Sequence, residues 1–285
     1  ASISLVSNVP GYEEAITLVS EGDERDVVFI AMDYMVEVST KAGEIMMERY
    51  ENEYAIIEML EEAKLELERM AVQEMCHDDE VLRDKLLNKC EDETNNVISK
   101  LKGKLFAWLN TLPCFSFNGT RYDNNIVKQH KLAYIDERVE DGVNHVIKRG
   151  NSYKSIACRG LTFLDVMNYL PPGTSYSNYL KSMKVTEEKF FFPYEAFTSL
   201  EFLNNTSLPP HSAFFSRLTD SNISPDDYIR CQTIWEEKKF ASMRDHLIYY
   251  NELDVTGMLA ALEVHSGYFK DMGMDLDYNG IAHAG

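Results

Sequence analysis

Four side chains in this sequence are of the types that assist metal-dependent hydrolysis: Asn118 and Asp123 in "FNGTRYD", and Tyr250 and Asp254 in "YNELD". Tyr250 and Asp254 are four residues apart, so on a helix they share one face. Of the 16 tyrosines, only Tyr250 is followed by an Asp at that spacing. Asn118 and Asp123 come just after the apolar run "TLPCFSF", where a strand gives way to a turn and then a helix. Two carboxylates on separate elements are the raw material of a Mg²⁺ site, because Mg²⁺ takes oxygen ligands and keeps several waters. Two such ions about 3.5–4 Å apart activate a water and stabilise a leaving oxygen. A tyrosine hydroxyl suits the task of orienting that water. The plainer reading of the same residues is a turn with a helix cap, and a Tyr–Asp pair at the edge of a core.

The elements that must position these residues are legible from periodicity. "ASISLVSNVPGY" and "AITLVSEGD" read as two strands of a hairpin around a Pro-Gly turn. From Arg25 to about Leu109 the sequence has no Pro, and its apolar residues recur at helical spacing among many Glu and Lys. Two or three long helices are predicted there, with a break and a polar turn inside "HDDEVLRDKLLNKCEDETNN". "TLPCFSF" reads as a buried strand, "DNNIVKQHKLAYI" as a helix, and "NHVIKRGNSYKSIACRGLTFLDV" as three strands with turns at Gly150 and Gly160. A mixed sheet would then receive strands from both sides of the helical block. A short helix follows in "SYSNYLKSMKV". The aromatic-rich segment "KFFFPYEAFTSLEFL" is expected to be ordered and extended, because so many Phe in a disordered loop would waste buried area. Ser224 and Pro225 cap and start another helix. A long helix is predicted from about Ser242 to Met272.

Composition limits the function classes. The chain has 285 residues, 45% of them hydrophobic and 26% charged, the balance of a folded globular protein. No apolar run reaches the length of a membrane span, so no membrane partner is expected. No secretory signal is visible, and the odd set Cys76, Cys90, Cys114, Cys158 and Cys231 lacks metal-ligand spacing. Free thiols in an intracellular compartment, nuclear or cytoplasmic and not secreted, are the expectation. Net charge is −19, of which −14 falls in residues 1–110. That acidity excludes nucleic-acid binding over the whole surface and leaves only a local groove.

"FNGTRYD" resembles the second exonuclease motif of family B DNA polymerases, N-x-x-x-[FY]-D, and "YNELD" resembles the third, Y-x-x-x-D. Together with "LTFLDVMNYLPPGTSYSNYLK" and "KFFFPYE", they are most similar to the protein-primed branch found in viruses, linear plasmids and self-replicating transposons. The resemblance runs from about Leu112 to the end of the chain. It implies an α/β, RNase H-like mixed sheet flanked by helices, forming a partial 3′–5′ exonuclease domain over residues 1–285, with the acidic helices 25–109 as an insertion. It further implies a two-ion Mg²⁺ site with Asp123 and Asp254 as ligands, and Tyr250 orienting the attacking water. Asn118 and Lys189 would touch the single-stranded 3′ end of DNA and its scissile phosphate. Asp165, at a strand end, would line the same groove unless it caps that end. Phe190, Phe191, Phe192 and Tyr194 would offer rings on which bases stack. The implied partners of the parent polymerase are single-stranded DNA 3′ ends and a terminal protein primer.

The sequence departs from this pattern at the first motif, D-x-E. Its only Asp-x-Glu is Asp78 to Glu80, inside the charged helical block. The expectation is that the first ligand strand precedes Ala1 and the polymerase palm follows Gly285, so that the chain alone has little or no nuclease activity. A second reading is an inactive RNase H-like scaffold whose acidic helices bind a partner.

Overall fold

The computed structural model describes residues 2–74, 80–119, 123–138, 145–149, 152–186 and 190–274; Lys189 and the "DYNGIAHAG" end lie outside them. The expected hairpin is present. β1 (Ser2–Leu5) and β2 (Ile16–Val19) pair antiparallel, with Ser4 Oγ and Thr17 Oγ1 2.7 Å apart across the ladder. Three long helices follow: α1 (Glu24–Arg49), α2 (Glu51–Glu74) and α3 (Glu80–Leu109). The predicted polar turn does not occur in the part of its stretch that is described, since α3 runs unbroken from Glu80. Glu, Lys and Leu are good helix formers, and no Pro or Gly interrupts them before Gly103.

β3 (Leu112–Ser116) comes next, then α4 (Asp123–Arg138), β4 (His145–Arg149), β5 (Ser152–Cys158) and β6 (Leu161–Asp165). The sheet order is β3-β6-β5-β4. β5 and β6 are joined by Arg159 and Gly160, both at positive φ (46° and 72°), as a two-residue type I′ hairpin requires. At the start of β3 the Leu112 N–H donates to Gly160 O, and at its end the Ser116 hydroxyl donates to Leu164 O, so β3 and β6 run parallel. The sheet is thus mixed and the class α/β. Among the described residues the single sheet expected from both sides of the helical block is not formed: β1 and β2 make a separate two-stranded ladder and pack against the last helix. β3 is half-buried rather than buried.

A 3₁₀ turn (Val166–Tyr169) and α5 (Tyr176–Ser182) follow β6, and the aromatic segment is ordered around two further 3₁₀ turns. α6 (Pro225–Lys238) begins as predicted, with the Ser224 hydroxyl accepting from Asp227 N–H and Pro225 in the first turn. α7 (Met243–Asp271) closes the described chain. None of the described helices is long and apolar enough to cross a membrane.

The chain separates into two compact units. The smaller comprises residues 39–113 and 160–162; within it α2 and α3 lie antiparallel, since Tyr54 bonds Asn110 while Glu61 pairs with Lys102. The larger holds everything else, and its core has two centres. One packs Phe190, Phe192, Leu203, Phe214, Cys231 and Trp235 against the first two turns of α7. The other packs Val166, Tyr179, Leu180 and Met183 against Ala261 and Leu262 further along the same helix. α4 is held to the sheet by Lys131 over the Phe163 ring, and to the first turns of α1 by Tyr134 and Arg138 bonding Asp33.

Cys114, Cys158 and Cys231 are free thiols, as expected; Cys76 and the side chain of Cys90 lie outside the described set. Burial pushes the Cys231 thiol up to about 11 and the Cys158 thiol up from its ordinary range. Since the thiolate is the nucleophile, Cys158 and Cys231 should react with iodoacetamide at pH 8 only in denaturant. Modification of either in the native protein, read by peptide mass spectrometry, would contradict that burial.

Candidate active site

α7 is aligned from its first residue. Asp245 Oδ2 accepts from the N–H groups of Ala241 and Ser242, and Met243 N–H donates to Asn205 O. Those bonds satisfy donors that a helix start leaves open. With the start anchored, one face of the helix carries His246, Tyr250 and Asp254 in successive turns. Met243, His246, Leu247 and Tyr250 are all buried.

Tyr250 and Asp254 interact as their spacing predicts. The Tyr250 hydroxyl engages both the Asp254 carboxylate and the Tyr194 hydroxyl. A phenol has one proton, and the acceptor-only Asp254 carboxylate takes it, with the Tyr194 hydroxyl beside the same oxygen. Burial is the main reason its acidity is suppressed, reinforced by Tyr194 and Asp254. Tyr250 therefore stays protonated at any working pH. It can position a group by hydrogen bonding but cannot act as a base.

The turn after β3 reaches the same neighbourhood. Asn118 adopts the left-handed conformation (φ 59°), which Asn tolerates better than most residues, and Gly119 beside it is buried. Its N–H donates to Asp165 Oδ1 at 3.0 Å. The preceding Phe117 packs edge-on against Tyr176, with ring centroids 5.2 Å apart, and the Tyr176 hydroxyl donates to the backbone carbonyl of Asp254. Phe117 and Tyr176 thus join the Asn118 turn to α7 at the level of Asp254.

The expected site residues fare differently. Tyr250 and Asp254 interact, and the Asn118 turn is tied to the Asp254 backbone only through Phe117 and Tyr176. Asp123 opens α4 as the motif predicts, and its side chain is outside the described set. Asp165 is 1% exposed and does not line a groove; its Oδ1 also accepts from Met167 N–H and caps the 3₁₀ turn. It supports the Asn118 turn from beneath. The aromatic platform shrinks to one ring. Phe190 and Phe192 are core, Phe191 is half-buried, and only Tyr194 stands out, at 58% exposed.

Two residues that sequence reasoning missed matter here. Tyr176 had no signal beyond its place after the Ser175 cap. His246 had one, since H-x-x-x-Y-x-x-x-D puts three polar groups on one face of a long helix. It is fully buried among Phe190, Phe192, Trp235 and Phe240. Neither of its ring nitrogens has a well-formed hydrogen bond.

The described residues include no group of three or more His, Cys, Asp or Glu side chains able to hold a metal ion. One carboxylate already bonded to a tyrosine does not make a Mg²⁺ site by itself. An open cleft of 380 Å³, lined by Glu14, Ala15, Tyr249, Glu252, Leu253 and Thr256, lies around α7 from the Tyr250–Asp254 face and is a separate feature. No protein-family model matches the chain, and no curated protein or solved structure matches it either.

Proposed function

We propose that this chain is the 3′–5′ exonuclease domain of a protein-primed family B DNA polymerase, built on an RNase H-like fold, and that it binds single-stranded 3′ ends of DNA beside α7. The observation that carries the reading is the bonded Tyr250–Asp254 pair with exposed Tyr194 beside it, tied to the Asn118 turn through Phe117 and Tyr176. In this reading Asp123 and Asp254 are Mg²⁺ ligands, Tyr250 orients the water that attacks the terminal phosphodiester, and Tyr194 stacks on an unpaired base. Asn118 contacts the 3′ end and Lys189 the scissile phosphate. Polymerisation, and the terminal protein primer, belong to the parent enzyme.

Two carboxylates offset only part of the cost of dehydrating Mg²⁺, so the chain should degrade single-stranded DNA negligibly while still binding it. Fluorescence anisotropy with a labelled oligonucleotide at low salt tests the binding. A free single-stranded 3′ end should be preferred over blunt duplex. Tyr194→Ala should weaken binding by roughly 5- to 150-fold, the worth of one stacked base. Equal affinity for duplex and single strand, unmoved by Tyr194→Ala and Asn118→Ala, would sink the reading. Mg²⁺-dependent degradation that disappears in Asp123→Ala would instead overturn the expected inactivity.

A further inference from the structure

The antiparallel pair α2–α3 leaves apolar side chains exposed on both sides: Leu65 and Phe106 lie one turn from the Glu61–Lys102 ion pair, and a larger group lies away from it. On α2, Ile56, Met59 and Met70 are 49%, 65% and 46% exposed; on α3, Val97 and Leu101 are 58% and 53% exposed. At about 100° per residue, Ile56, Met59 and Met70 fall within one narrow stripe, and Val97 and Leu101 share another. Glu61 and Lys102 pair across the opposite side of the two helices. In an antiparallel pair, that places both stripes on the side away from the ion pair. Together they make one apolar strip about 21 Å long, the rise of 14 helical residues.

The charge around the strip narrows what can cover it. α2 carries eight acidic residues against two basic ones, and Glu62 and Glu66 border the stripe on its outer side. Lys100 and Lys104 lie on the α3 rim, so negative charge is concentrated on α2. A second copy would bring a like-charged α2 and a net charge of −19 to the contact. It would also find a strip of five side chains, where a stable interface needs about 800 Å² from each partner. A single helix needs less, since three or four apolar anchors along one face suffice for docking in a groove.

We propose that α2 and α3 form a docking surface for one amphipathic helix of a partner protein. Its apolar face covers Ile56, Met59, Met70, Val97 and Leu101, and its basic flank lies along α2. This surface stands independently of the nuclease reading.

The probe is a fluorescein-labelled Leu/Lys amphipathic peptide of about 18 residues, long enough for the strip. Its controls are a scrambled peptide of the same composition and a Leu/Glu peptide of the same pattern. With the full chain, the Leu/Lys peptide should bind at least about tenfold tighter than either control, and should weaken as salt screens the flank. Ile56→Ser with Met59→Ser should cost at least about tenfold for the Leu/Lys peptide alone. Both positions are exposed, so circular dichroism should show the fold unchanged. Equal binding of the scrambled peptide, or binding indifferent to the double substitution, would overturn the proposal. So would a dimer in sedimentation that dissolves in the double variant, because a second copy would then be the occupant.

Discussion

Asp165→Ala should destabilise the larger unit by about 3–5 kcal/mol, the largest effect expected of any single substitution discussed here. The carboxylate is 1% exposed, and its Oδ1 accepts from two backbone N–H groups, those of Asn118 and Met167. Truncation leaves both donors without that acceptor in a place with little water, and each such donor costs about 1–3 kcal/mol. The Asn118 turn, already in the left-handed region, loses the bond that holds it there. Asp165→Asn keeps an acceptor oxygen and should cost about half as much, because the bonds lose only their charge assistance. Urea unfolding followed by circular dichroism measures both. If Asp165→Ala costs under about 1 kcal/mol, the carboxylate is not what holds the turn. The same pair of variants separates support from contact, since a DNA-contacting Asp165 would change oligonucleotide binding without changing stability.

The second large effect is acid destabilisation through His246. Burial among aromatic rings pulls this imidazole down to about 4; the Phe191 backbone beside it only partly opposes that. The unfolded chain takes up the proton near the ordinary histidine value of about 6.5. Between those values the unfolded state binds more protons than the folded one, so stability rises with pH across the window and is lost as pH falls from about 6.5 towards 4. The total is about 3 kcal/mol. His265, 7% exposed beside Tyr179, is shifted down by burial and adds in the same direction. Glu252, shifted up by burial, acts with the opposite sign. His246→Phe fits the aromatic surroundings and removes the titration. The measurement is the slope of unfolding free energy against pH from 6.5 to 4, which is insensitive to any packing cost of the larger ring. The slope should flatten markedly in the variant; an unchanged slope would show that His246 is charged in the folded protein or does not contribute.

These expectations bear on the proposed site. Tyr250 lies one turn beyond His246, and the ring packed against both is Phe192. Protonating His246 in that aromatic cluster places a charge among groups that cannot solvate it. DNA binding beside α7 should therefore decline over the same acid range as stability does.

Much of the framework was legible in the order of residues. The β1–β2 hairpin, the three helices of the acidic block, the β4–β5–β6 meander, the capped start of α6 and the span of α7 all follow from local rules. Alternation, helical periodicity, Ser-Pro at a helix start and a positive-φ Gly in a hairpin each act within a few residues. The pairing of Tyr250 with Asp254 is local in the same sense, since helical geometry alone brings residues four apart onto one face. Other features depended on what packs from far along the chain. Separating β1 and β2 from the four-stranded sheet was a choice between partners, and no local pattern states it. Phe190 and Phe192 could have been stacking surfaces until the folded chain packed them around His246. Asp165 could have faced a groove until the Asn118 turn, 47 residues earlier, was laid over it. Burial is a property of neighbours rather than of residue type, so only the tertiary structure decided which aromatics are core, which carboxylate is a brace, and that Tyr176 links the turn after β3 to the helix bearing Asp254.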